Sequence, residues 1–488
     1  MKQPHQWADD SPVSRRRFLG AAAGSLLAGS LPGTGCTTSP RSAHTAPAER
    51  PNIILIVTDD QRWDALGCAG NPVILTPNMD RLADDGVRFA NAFVTTPICA
   101  ASRASLLTGL YERVHGYTFQ QPPLSSSLVA ASYPSLLRAA GYRTGFVGKL
   151  GVRLGDGDAA AMFDSFAPSS LPYVKESPGG RRHLTEINTE RAVAFVNECA
   201  PDQPFCLSLS YWAPHAEDSA PEQYFWPESC DRLYEDVTIT PPGPAAQKLF
   251  ESQPAFLQEG FNRVRWHWRF DTPEKHDRMV KGYYRMISGV DAGIGRLMDA
   301  LRATGRDRDT VVIVTSDNGY FLGERGYAGK WTMHEPSIRV PLIVHDPRRE
   351  EEGGRVIDEM ALNVDLAPFL LDLAEIEPPS RMQGRSLRPL LERDAAAESS
   401  SGSNRDEIFT EHLWDFDPIP QTEAVRTRRW KYIRYPQHPE FEELYDLADD
   451  PGEERNLAGD EEFKERLQSL RDRCRQLADS VSRVRKEK

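Results

Sequence analysis

Four uninterrupted apolar runs along the chain each end on polar residues. NIILIVT closes on Asp59 and Asp60, RTGFVG on Lys149, FCLSLSYWAP near His215, and TVVIVTS on Asp317 and Asn318. Runs apolar on both faces suit a buried parallel sheet. Helical patterns lie between them. TPNMDRLADDG has Thr76 as cap, Pro77 in the first turn and Gly86 as stop, while NTERAVAFVNE and the stretch from Met279 to Gly305 carry helical spacing. Strands alternating with helices predict an α/β fold with a large, mostly parallel sheet wrapped by helices. Ligands of such folds sit at the carboxyl ends of the strands, where all four polar endings would gather.

Length adds a second domain. At 488 residues the chain exceeds the size at which a single core stops growing, so a smaller second domain is expected beside the large α/β one. The net charge of −13 argues against general affinity for nucleic acid or anionic membrane. The first segment reads as an address. In SRRRFLGAAAGSLLAGS, Arg15 and Arg16 precede Phe18, Leu19 and a short apolar run, which resembles a twin-arginine export signal. Cys36 in LPGTGC is a candidate lipid anchor, although Gly33 stands where lipoprotein signals usually carry leucine, and residues 37–49 read as a linker. Seven cysteines without a CxxC pair give no zinc ribbon. Export would permit a disulfide among Cys199, Cys206 and Cys230, and the spacing does not choose one.

Taken singly, the polar endings read as turns, caps, a solvated lysine and a loop histidine. Their convergence favours a site. Three aspartates and an asparagine offer oxygen ligands, which suit calcium or magnesium and disfavour zinc. TTPICAASRASLLTG places Cys99 at the mouth of a helix, Arg103 one turn along and Gly109 at its end. A thiol is a poor ligand for a hard cation. Cys99 is therefore either an inert core residue or not a cysteine in the working protein.

CAASRASLLTG resembles the signature of the type I sulfatases, of the alkaline phosphatase superfamily, in which the cysteine is oxidised to formylglycine. IVTDDQRWDALG, SDNGYFLGERG followed by GKW, and SIRVPLIVHDP resemble other segments of that family in its order. RTRRWKYIRY and ELYDLADDPGEERNLA resemble its terminal subdomain. The resemblance implies an export segment and linker at 1–48, a catalytic domain at 49–395 and a smaller C-terminal α+β subdomain at 400–488. It implies a maturase that modifies Cys99, and a cation held by Asp59, Asp60, Asp317, Asn318 and the modified residue. The hydrated aldehyde would attack sulfur with help from Asp317. Arg103 would hold it, Lys149 and Lys330 would neutralise the sulfate oxygens, and His215 or Lys330 would protonate the leaving oxygen.

One departure stands out. The family usually follows its lysine with tryptophan and histidine, and that histidine is thought to take a proton in the second half of the reaction; GKLGVR puts Gly151 there. His115 is the candidate replacement, with Arg153 as an electrostatic one. Gly151→His is expected to raise turnover if the loop admits a side chain. Aromatic residues between 216 and 275, Tyr224, Phe225, Trp226, Trp266 and Trp268, either shape a sugar pocket or pack a lid, and His334 and Glu335 are further substrate-contact candidates. The expected function is an exported, periplasmic or cell-surface sulfatase acting on a sulfated carbohydrate. Two alternatives stand beside it: a phosphate or phosphonate monoester hydrolase, and a glycan-binding protein with a decayed site.

Overall fold

The computed structural model describes residues 50–177, 179–392 and 405–483. The export signal, Cys36 and the linker to residue 49, and the junction at 393–404, lie outside the described residues.

All four apolar runs form strands. Ser165–Pro168, Arg143–Gly148, Phe205–Ser210, Asn52–Thr58 and Thr310–Ser316 run parallel, in that order across one nine-stranded sheet. Leu342–His345 continues it antiparallel, followed by Val87–Phe93, which also pairs with Arg339–Val340 and, in parallel, with Arg355–Leu362. Side-chain alternation divides the core between the two faces. Ile53, Leu55, Val57, Val311 and Ile313 belong to one apolar cluster, and Ile54, Ile56, Val312 and Val314 to the other. That two-sided burial is why these strands show no polar alternation. The helices Leu184–Glu198 and Pro273–Ala303 pack together over the second face.

The C-terminal part is a four-stranded antiparallel sheet, Glu407–His412, Thr422–Thr427, Trp430–Arg434 and Glu442–Asp446, with the helix Lys464–Arg483 against it. Its Phe409, Val425, Tyr432 and Leu444 share the first apolar cluster. No described helix is long and apolar enough to cross a membrane. Cys199, Cys206 and Cys230 are free thiols, so the disulfide left open above is absent among them.

Candidate active site

Strand register builds the site. Thr58 lies opposite Ser316, while Val57 and Gly148 both lie opposite Ser210. Asp59-Asp60, Asp317-Asn318, Lys149 and the segment leading to His215 therefore leave the sheet along one edge. Backbone bonds fix the departures: Asp59 donates to the Ala213 carbonyl (3.3 Å), Asp317 to that of Thr58 (3.1 Å) and Lys149 to that of Ser210 (2.8 Å).

The carboxylates are buried and crowded by cations. Lys149 bonds Asp59 Oδ2 and Lys330 bonds Asp60 Oδ1. His215 Nε2 stands 3.8 Å from Asp60 Oδ2. Asn318 Nδ2 donates to Asp60 Oδ1 (2.5 Å), which turns its own oxygen away from that contact. Among the expected cation ligands, three buried oxygens are left without a hydrogen-bond partner: Asp59 Oδ1, Asp60 Oδ2 and Asn318 Oδ1. Orphaned acceptors are costly in a protein interior. Their clustering on predicted ligands, with Asp59, Asp60 and His215 close enough to share an ion, fits a hard divalent cation.

Cys99 is the first residue of the helix Cys99–Thr108, which ends at Gly109 in a left-handed cap. Burial pushes its thiol up, against the opposing pull of Lys149 and Lys330. Unmodified, it is a protonated thiol and a weak nucleophile. Arg103 spans the site floor. Its Nε donates to Asp317 Oδ2 (2.7 Å), and its Nη1 to the Lys149 carbonyl (2.7 Å) and to Ser210 Oγ. Its Nη2 has no hydrogen-bond partner.

The charges set one another. Burial works against ionisation of Asp59, but Lys149, His215, Lys330 and Arg103 outweigh it and hold the carboxyl well below its usual range. Burial and the neighbouring Asp59 push Asp317 up. The aspartates overcome burial at Lys149 and Lys330 and push both up. Burial pushes His215 down to about 4 against the pull of Asp59 and Asp60. Its Nδ1 is 2.6 Å from the Ala216 carbonyl. A carbonyl only accepts, so Nδ1 carries the hydrogen and neutral His215 presents a lone pair at Nε2.

Several expected residues sit elsewhere. His115 is buried with both ring nitrogens engaged, Nε2 by Ser105 Oγ (3.1 Å) and Nδ1 by the Tyr117 amide (3.0 Å). Arg153 is exposed and bonds the Gln121 carbonyl. Gly151 has φ +69°, and a Cβ there would lie 2.4 Å from Arg103 Cδ. The space a side chain would take is filled by Arg103, which removes the basis for expecting a gain from Gly151→His. His334 bonds Glu443, and Glu335 pairs with Lys431 and Arg426, so both face the C-terminal sheet. Tyr224 is buried against Tyr283, whereas Phe225, Trp226, Trp266 and Trp268 are half-buried.

Two contributors escaped the sequence reading. Ser210 anchors Arg103, and Trp212 places its ring centroid 4.4 Å from Lys149 Nζ. The trace available in the sequence was their position at the end of a strand that was already expected to deliver site residues.

A family model described as sulfatase matches residues 51–376. The chain belongs to the sulfatase family. It is a sulfuric ester hydrolase of the alkaline phosphatase superfamily. A second model of this kind, N-sulphoglucosamine sulphohydrolase C-terminal, matches residues 323–480. The sulfatase is 26% identical to an N-acetylglucosamine-6-O-sulfatase of Bacteroides thetaiotaomicron, over 88% of each chain. It is 29% identical to an arylsulfatase of Clostridium perfringens, over 86% of this chain and 93% of that one. A solved structure in complex with its substrate D-glucosamine-2-N,6-O-disulfate superposes with a TM-score of 0.74 at 25% identity, covering 90% of this chain and 99% of the other. The phosphonate monoester hydrolase of Agrobacterium radiobacter shares the fold, with a TM-score of 0.69 at 22% identity over 88% of this chain and 96% of that one.

Proposed function

We propose that this sulfatase is exported and removes sulfate from a sulfated carbohydrate, with Cys99 converted to formylglycine by a maturase and a calcium ion, or magnesium in its place, held by Asp59, Asp60, Asp317, Asn318 and the modified residue. The observation that carries the reading is the trio of buried oxygens without a hydrogen-bond partner on Asp59, Asp60 and Asn318, beside two lysines and a cysteine at a helix N-terminus. Glycan-directed names among the relatives support a sugar substrate.

When present, the hydrated aldehyde supplies an oxygen nucleophile with a second hydroxyl, and the cation supplies positive charge for the sulfate oxygens. This chain's own groups do the rest. Lys149 and Lys330 neutralise sulfate oxygens, and Arg103 Nη2, which has no hydrogen-bond partner and stands 3.8 Å from Asp59 Oδ2, holds the oxygen at position 99. Asp317, pushed up and bound by Arg103, takes the nucleophile's proton. Between the two candidate acids the hydrogen-bond geometry favours Lys330, because neutral His215 turns a lone pair toward the site. Twin-arginine export, folding before translocation, suits a chain modified in the cytosol; the lipid anchor at Cys36 belongs to the same proposal.

Two measurements test it. Mass spectrometry of the Thr95–Arg103 peptide from native-host protein should show the thiol replaced by an aldehyde; an intact thiol in fully active protein would falsify the modification. A screen of defined sulfated saccharides, with 6-O-sulfated glucosamine first, should give sulfate release faster than release from matched phosphate or phosphonate monoesters. The reverse preference would establish the hydrolase alternative, and calcium-dependent glycan retention without release would establish the binding one.

A further inference from the structure

The C-terminal ELYDLADDPGEERNLA segment has no role in the chemistry above, yet two of its carboxylates reach the loop that carries Lys330. Arg325 precedes Lys330 in that loop and His334 follows it. Both grip one oxygen of Glu443: Arg325 Nη2 at 3.1 Å and His334 Nε2 at 3.2 Å. Tyr445 also bonds that oxygen, and the Tyr435 hydroxyl donates to the other (2.5 Å). Glu453 repeats the pattern. Its carbonyl accepts from Arg325 Nη1, its Oε2 from the Glu335 amide (2.8 Å), and its Oε1 pairs with Lys431 Nζ at 2.6 Å. Glu443 and Glu453 are each 1% exposed. The two stems of the Lys330 loop are thus drawn together on one side of the C-terminal sheet.

The loop needs such a hold. Arg325 (φ +56°) and Trp331 (φ +80°) occupy the left-handed region without being glycine. Such conformations persist only where the surroundings over-determine them. Burying an uncompensated carboxylate is unfavourable, so Glu443 cannot release Arg325 and His334 without cost. Within the loop, Lys330 reaches Asp60, and the Asn262 side chain donates to its carbonyl (2.8 Å).

We propose that Glu443 is a positioning residue for Lys330: one buried carboxylate on the C-terminal sheet clamps both stems of the catalytic lysine's loop, which makes the small subdomain part of the sulfate-binding apparatus. This rests on the reading that Lys330 neutralises a sulfate oxygen.

The probe is inorganic sulfate, titrated calorimetrically into calcium-loaded protein. Four proteins form a cycle: the unsubstituted chain, Lys330→Ala, Glu443→Gln and the double variant. Glu423→Gln, which breaks a less deeply buried contact to Arg113 and Arg434 away from the loop, controls for general destabilisation. Lys330→Ala and Glu443→Gln should each weaken sulfate binding by about tenfold or more, since small misplacements of a binding group reach about 10²-fold. Glu443→Gln should add nothing once Lys330 is gone, and Glu423→Gln should bind sulfate normally. Unchanged affinity in Lys330→Ala would overturn the role given to that lysine. Weakened binding in Lys330→Ala with normal binding in Glu443→Gln, or an equal loss from Glu443→Gln with and without Lys330, would overturn the clamp alone. Where Glu443→Gln does not fold, Glu443→Asp, which keeps the charge and shortens the reach, takes its place. Amide exchange in the unsubstituted protein gives an independent reading: residues 328–333 should share the protection of the Glu442–Asp446 strand, and exchange much faster than that strand's would contradict the clamp.

Discussion

At the residue scale, His115 and Gly151 reverse what their sequence context implies. A general base costs about 10²- to 10⁴-fold when removed, but His115 has both nitrogens bonded away from the cluster of strand ends. We expect His115→Ala to leave turnover per folded molecule nearly unchanged and to lower the melting temperature. Burial holds this imidazole at about 3 against an ordinary 6.5. The folded protein therefore keeps it neutral where the unfolded chain takes up a proton, so its contribution is complete above pH 6.5 and is lost as pH falls toward 3. Melting temperature should consequently decline less steeply across that window in the variant than in the parent. Gly151 is a different case. With φ +69° and Arg103 Cδ in the way, Gly151→Ala should displace the guanidinium from Asp317 and lower kcat/KM by about 10²-fold. Gly151→His should act in the same direction, and a gain in steady-state turnover from it would show that Arg103 tolerates the shift.

At the element scale, long-range partners replace local signals. Thr76 does precede the helix Pro77–Asp84, yet its side chain gives that helix no capping bond. Asp291, on the long helix Pro273–Ala303, accepts from the Asn78 amide (3.1 Å) and the Met79 amide (2.8 Å) instead. The helix Phe261–Arg269 is fastened in the same manner. Arg265 and Arg269, both buried, share the carboxylate of Asp218, which lies close after His215 in the chain. Removing one partner of a buried ion pair costs about 3–5 kcal/mol. Asp218→Ala leaves two guanidinium groups unpaired, and chemical denaturation should register a loss of that order. A loss below about 1 kcal/mol, the range of exposed pairs, would mean that water already compensates these arginines.

At the scale of the whole molecule, the proposed cation would link the sheet edge to stability. An ion that binds only the folded form adds about 2.7 kcal/mol at a hundred times its dissociation constant. Calcium should therefore raise the melting temperature, a chelator should reverse the rise, and Asp59→Ala should abolish the response. Zinc giving a larger shift than calcium would overturn the oxygen-ligand assignment. The measurement needs no substrate.

Apolar runs and their polar endings were enough to place the central strands and to bring Asp59, Asp60, Lys149, His215, Asp317 and Asn318 to one edge, because strand burial on both faces writes itself into local composition. The Cys99 helix was equally legible, since its glycine stop and its signature are contiguous. Contacts between distant segments were not. Nothing near His115 in the chain announces Ser105 as its partner across a tight turn, nothing in GKLGVR shows that Arg103 occupies the space beside Gly151, and nothing around His334 or Glu335 points to Glu443 and Lys431. Sequence determines which residues a strand can deliver to its end; whether a delivered side chain meets the substrate or a buried partner depends on what the rest of the chain packs against it, and only the tertiary structure decided that.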